Sequence, residues 1–109
     1  MRFTLHDDPE WMTECNCSLC RRIGAQWVHS EAQHLTIDAA QDATLRYVQG
    51  DATLELHTCR TCGCTTHWLS LGTEPSRRVA INTRLAEPEA VSGLPVRHFD
   101  GADSWRFLD

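Results

Sequence analysis

The stretch TLRYVQGDATLELHT, Thr44 to Thr58, holds two runs of apolar and β-branched residues separated by QGDA. Each run reads as a strand. Gly50 can take the positive φ that a tight connection asks for, so the two arms are expected to pair as a hairpin. The same texture recurs on both sides, in RFTL (Arg2 to Leu5), QWVHS (Gln26 to Ser30), HLTI (His34 to Ile37), THWLSL (Thr66 to Leu71) and RRVAINT (Arg77 to Thr83). Short strands punctuated by turn residues predict a mainly antiparallel β protein. Helical signal is confined to SLCRRIG, ending at Gly24, and EPEAVSG, with Pro88 near a helix start and Gly93 just past its end. Trp27, Tyr47, Leu54, Leu56, Trp68, Leu71, Val79 and Ile81 are expected to supply much of the core.

A chain of 109 residues is one domain's worth, and we read 1–109 as a single domain. With 41% hydrophobic and 23% charged residues it has a globular composition. The formal net charge is −5, and no basic run exceeds Arg21-Arg22 or Arg77-Arg78, so nucleic acid is not an expected partner. MRFTLHDDPEW carries an acidic pair where a signal peptide needs an apolar centre, and no stretch reaches the length of a membrane span. A cytoplasmic protein without membrane association is therefore expected, and an oligomer is compatible with the sequence. In a reducing compartment, six cysteines point to metal ligands or catalytic thiols rather than disulfides.

The cysteines fall into two clusters, ECNCSLCRR at Glu14 to Arg22 and CRTCGC at Cys59 to Cys64. Each contains C-x-x-C, the spacing from which tetrahedral zinc sites are commonly assembled. Cys17, Cys20, Cys59 and Cys62 alone would describe a zinc ribbon with one closed metal. Cys15 adds another option, because C-x-C-x-x-C offers three sulfurs from one loop and leaves a fourth position open, as catalytic zinc requires. Three thiolates on Zn²⁺ leave a net charge near −1, which Arg21 and Arg22 can offset while also attracting an anionic substrate. A solvated surface explains the arginine pair equally well.

CNCSLCRR, CRTCGCTTHW and VAINTRLAEPEAVSGLPVRHFDG together resemble the glutathione-dependent formaldehyde-activating enzyme family, whose domain is shared with centromere protein V. The resemblance runs from Arg2 to about Asp103. It implies a β-tent of packed antiparallel sheets with short helices and zinc-binding cysteine loops. It also implies a catalytic zinc on Cys15, Cys17 and Cys20, and half of a structural zinc site on Cys59 and Cys62. The family's other half-site is a C-x-C-G upstream of a stretch resembling RFTL. No cysteine precedes Cys15, so either that segment lies upstream of Met1 or this member lacks the half-site, with Cys64, His57 and His67 as candidate substitutes.

The activity implied is a carbon–sulfur lyase reaction, the reversible addition of glutathione to formaldehyde to give S-(hydroxymethyl)glutathione. Zinc would be the cofactor, and a small-molecule thiol and an aldehyde the partners. Arg21 and Arg22, with Arg84, are the donors available to the carboxylates of glutathione. Asn82 and His98 lie in the family-like C-terminal stretch, where turn or capping roles explain them equally well. The alternative is a non-catalytic, zinc-ribbon-like binding or interaction module. Cys15 separates the two readings, since a ribbon can spare it and an open three-thiolate site cannot.

Overall fold

The alternating segments become strands. A computed structural model describes residues 1–109, Gln49 by its backbone alone. In chain order the elements are β1 (Arg2–Leu5), β2 (Met12–Cys15), α1 (Ser18–Ile23), β3 (Trp27–Glu31), β4 (Leu35–Asp38), β5 (Thr44–Gln49), β6 (Leu54–Cys59), β7 (Thr65–Ser70), β8 (Arg78–Asn82) and β9 (Val96–Phe99). Short 3-10 turns occupy Ala32–His34, Thr83–Leu85 and Pro88–Val91. The protein is mainly β with short helices. No helix among the described residues is long and apolar enough to cross a membrane.

The chain divides into two compact units, Met1–Asp8 with His29–Ile81 and Pro9–Val28 with Asn82–Asp109. In the first, β5 and β6 form the expected hairpin, with Gln49 opposite Leu54 and Gly50 at φ 50°. Strand β6 continues onto β7, and β7 onto β8, all antiparallel. A separate antiparallel pair joins β1 to β4 in the register Arg2 to Asp38 through Leu5 to Leu35. Its Phe3 packs edge-on against His67 of β7, with ring centroids 5.3 Å apart. Leu56, Val79 and Ala80 are buried here, and the interior also takes in polar rings. His57 and His67 stack at 4.2 Å, and His57 is held by Thr44 at 2.7 Å and Glu55 at 3.0 Å.

Two expected core residues are corrected. Tyr47 is 57% and Leu71 44% exposed. Tyr47 lies on β5, an outer strand whose partner is β6, and Leu71 follows the end of β7 at the hairpin mouth, where its N–H bonds Thr53 O. Alternation identifies a strand's two faces without saying which face is covered. Leu54, Trp68 and Ile81 are half-buried, whereas Trp27, Leu56 and Val79 are buried.

The second unit is built around β2, which pairs antiparallel to β3 at Thr13 and Trp27 and parallel to β9 from Met12 opposite Val96 to Cys15 opposite Phe99. Met12, Ala25, Trp27 and Val28 form its apolar interior. Asn82 has the capping role that its residue type suggests. Its Oδ1 accepts from Arg84 N and Gln26 N, both at 3.2 Å, fixing the turn that carries Arg84.

Candidate metal centre

Helix α1 begins and ends where its sequence dictates. Cys17 is its N-cap, and the Cys17 sulfur accepts from Cys20 N at 3.3 Å. Gly24 closes the helix in the left-handed conformation at φ 68°, its N–H bonded to Cys20 O. Arg21 and Arg22 lie in the last turn, where positive charge suits the helix dipole. This cap puts Cys17 and Cys20 on one side of the first turn, and the end of β2 delivers Cys15 to them. The three sulfurs lie within 4.8 Å of one another.

Each sulfur is held by a donor from the protein. Cys17 N lies 3.5 Å from Cys15 Sγ, Trp27 Nε1 donates to Cys20 Sγ at 3.4 Å, and the Gly101 backbone N–H faces Cys15. A hydrogen bond from the Cys20 thiol, with smaller help from the Cys17 and Gly101 amides, brings the Cys15 thiol down to about 5 against the opposing effect of burial. Cys20 moves the other way, raised by that same bond to Cys15 and by burial. A bound cation favours the thiolate forms, because coordinating thiols bind as thiolates. Zinc–sulfur bonds of about 2.3 Å place tetrahedral ligands roughly 3.8 Å apart, so the spread and chemistry of the triad fit a thiophilic ion.

Cys15 and Cys20 open onto a cleft of about 460 Å³, also lined by Glu14, Arg21, Arg84, His98 and Asp109. Glu14 anchors its wall. One oxygen accepts from Gln26 Nε2 at 2.7 Å and pairs with Arg84 at 3.3 Å. The other faces His98 Nε2 at 3.5 Å. Arg84 Nε donates to Gly24 O at 2.8 Å, tying the arginine to the end of α1. His98 Nδ1 meets Asp109 at 2.7 Å, and this hydrogen bond raises the imidazole above its ordinary range.

The sequence-read site residues thus separate. Cys15, Cys17 and Cys20 converge, and Arg21 and Arg84 line the cleft, whereas Arg22 is exposed and does not line it. Glu14, Asp109 and Gly101 went unsingled in the sequence. Glu14 carried a signal, as the acidic neighbour of a cysteine cluster, and Gly101 carried none.

Cys59, Cys62 and Cys64 form a second cluster in the turn from β6 to β7, where Cys59 N bonds Cys64 O at 2.8 Å and Gly63 N bonds Cys59 O at 2.9 Å. The amides of Cys62 and Thr61 favour the Cys59 thiolate. Cys62 and Cys64 are exposed. Among the described residues, Cys15, Cys17 and Cys20 are the group of three or more ligand types drawn within 4.8 Å. The candidate substitutes His57 and His67 are instead buried in the stack with Thr44, Glu55 and Thr66 as partners.

No family model matches the chain, and no curated protein matches it. The fold is similar to that of a Rhodobacter sphaeroides protein, a Northeast Structural Genomics target known from a crystal structure, with TM-score 0.64 and 24% identity over 84% of this chain and 85% of that one. The likeness extends to the fold.

Proposed function

We propose that the protein is a zinc-dependent enzyme of carbon–sulfur bond formation and cleavage, similar to the glutathione-dependent formaldehyde-activating family. The observation that carries this reading is a half-buried triad of sulfurs within 4.8 Å opening onto a cleft with two arginines in its wall. Cys15, Cys17 and Cys20 would hold the ion. A zinc ion bound there supplies positive charge that lowers the pKa of an incoming thiol.

The chain's own groups account for the rest. In the forward direction a carbon–sulfur bond forms between the thiol and the carbonyl carbon, the C=O π bond breaks, and the thiol proton ends on the carbonyl oxygen. Arg21 and Arg84 offer N–H donors to the carboxylates of a peptide thiol, and Arg84 is pre-positioned by Gly24 O and Glu14. His98, held between Asp109 and Glu14, supplies a polar group in the same cleft. Trp27 backs Cys20 from the buried side.

The test is metal content after gentle purification, followed by exchange kinetics between formaldehyde and S-(hydroxymethyl)glutathione with the uncatalysed rate subtracted. Stoichiometric zinc with exchange above background is expected. Zinc without exchange would favour a metal-stabilised binding module, a reading supported by the Cys17 sulfur's second role as the cap of α1.

A further inference from the structure

The loop after β9 lies directly on the cysteine triad, although it is more than eighty residues away in sequence. Asn16, between two of the cysteines, clamps it from both sides. Its Nδ2 donates to Asp100 Oδ1 at 2.9 Å, its Oδ1 accepts from Ala102 N at 3.0 Å, and its own N–H donates to Phe99 O at 3.2 Å. Asp100 is fixed in turn by the Ser104 amide and hydroxyl, at 3.1 and 2.8 Å. Gly101 sits in the middle of this clamp.

The other five glycines take positive φ, so turn geometry accounts for them. Gly101 does not, and what it meets explains its residue type. A Cβ at position 101 would stand 2.5 Å from Cys15 Sγ and 3.5 Å from Cys17 Cβ. Ordinary carbon contacts need about 3.5–4.0 Å, so any side chain here drives the Cys15 sulfur out of its place. The Gly101 amide also faces that sulfur. A hydrogen-bonded backbone packed against one ligand is how outer groups orient the ligands of a metal centre.

We infer that Gly101 is a positioning residue for Cys15, holding its sulfur in the metal-binding arrangement through direct backbone contact, with Asn16 as the clamp that keeps Gly101 there. The inference rests on the triad being a metal site. It adds a chain segment that neither C-x-C-x-x-C nor C-x-x-C reveals. Cys20 has its counterpart in Trp27 and Cys17 in the helix terminus, so each of the three sulfurs is set by a different part of the second unit.

Cobalt(II) titration of the intact chain tests this, because thiolate-to-cobalt charge-transfer bands report sulfur ligation without any assay of activity. Zinc competition against a chromophoric chelator then gives the affinity. Wild-type protein should show the bands of three thiolates. Gly101→Ala should bind about 10- to 100-fold more weakly, with reduced charge-transfer intensity and an unchanged far-ultraviolet circular dichroism spectrum. Gly101→Ala with wild-type affinity and bands overturns the inference and leaves the metal site standing. Wild-type protein that takes up no cobalt overturns both. Should Gly101→Ala not fold, Asn16→Ala adds no bulk and decides the matter: a several-fold loss of affinity supports the clamp, and wild-type affinity overturns it.

Discussion

The two cysteine clusters have the same C-x-x-C core and opposite surroundings. Cys15, Cys17 and Cys20 are half-buried, with hydrogen-bond donors from α1, β3 and the loop after β9, and a cleft on one side. Cys59, Cys62 and Cys64 ride on a hairpin turn, two of them exposed, with donors drawn from the turn itself. A short motif thus fixes ligand type and local spacing, whereas the enclosure that distinguishes the first cluster from the second comes from distant segments. Chemistry is expected at the first cluster and stabilisation at the second.

Alanine substitution should break the symmetry most sharply. Cys15→Ala and Cys17→Ala are each expected to bring formaldehyde–glutathione exchange down to the uncatalysed rate and to lower zinc content, read by elemental analysis. Cys59→Ala should leave exchange within a few-fold of wild type and lower the melting temperature. Exchange surviving in Cys15→Ala with full metal content would remove the open-site mechanism.

Packing gives the next contrast. Trp27 is 1% exposed, and Trp27→Ala should cost about 3–5 kcal/mol as well as the donor to Cys20. Trp68, half-buried on β7 and edge-on to His29 at 5.6 Å, should cost less when truncated. Denaturant midpoints of the two variants, compared at one pH, check the order.

Acid should act on the first unit. Burial lowers both His29 and His67 to about 4, with smaller contributions from Arg78 and His57 respectively. Unfolded imidazoles take up protons near pH 6.5, so the unfolded state binds more protons between the two values. The stability these residues contribute is therefore complete above pH 6.5 and lost as the pH falls toward 4. For His29 the loss is on the order of 2–3 kcal/mol. Denaturant midpoints from pH 7 to pH 4 should fall, and fall less in His29→Phe. Equal slopes in the two proteins would place the acid sensitivity elsewhere.

The arginines give the smallest effect. Arg84→Ala should raise the KM for the thiol about 5- to 30-fold, roughly 1–2 kcal/mol. Arg22→Ala should change neither KM nor kcat, since Arg22 is exposed outside the cleft.

What the sequence disclosed follows the range of the interactions involved. The β5–β6 hairpin, α1 with its Gly24 stop, and the C-x-C-x-x-C triad are local, and each is legible from adjacent residues. Strands β2 and β9 were not. MTEC and VRHF are four residues each, and their parallel pairing joins segments with no short turn to announce it. The cleft was hidden for the same reason, because Glu14, Arg84, His98 and Asp109 come from four separate stretches. Tyr47 is exposed because a strand's apolar residues mark a face before anything determines its cover. Gly101 was invisible, since an ordinary backbone glycine shows its purpose only when its neighbour in space is known.

The parallel pairing of β2 with β9 also orders events in time. Asn16 and Asp100 are 84 residues apart, and ribosomes add about 5–20 residues per second, so roughly 4–17 s separate their synthesis. Through that interval the first three cysteines are already made and the loop that covers Cys15 is not. Enclosure of the triad therefore waits on the last part of the chain to be made, and the three cysteines exist as an open loop until β9 pairs with β2.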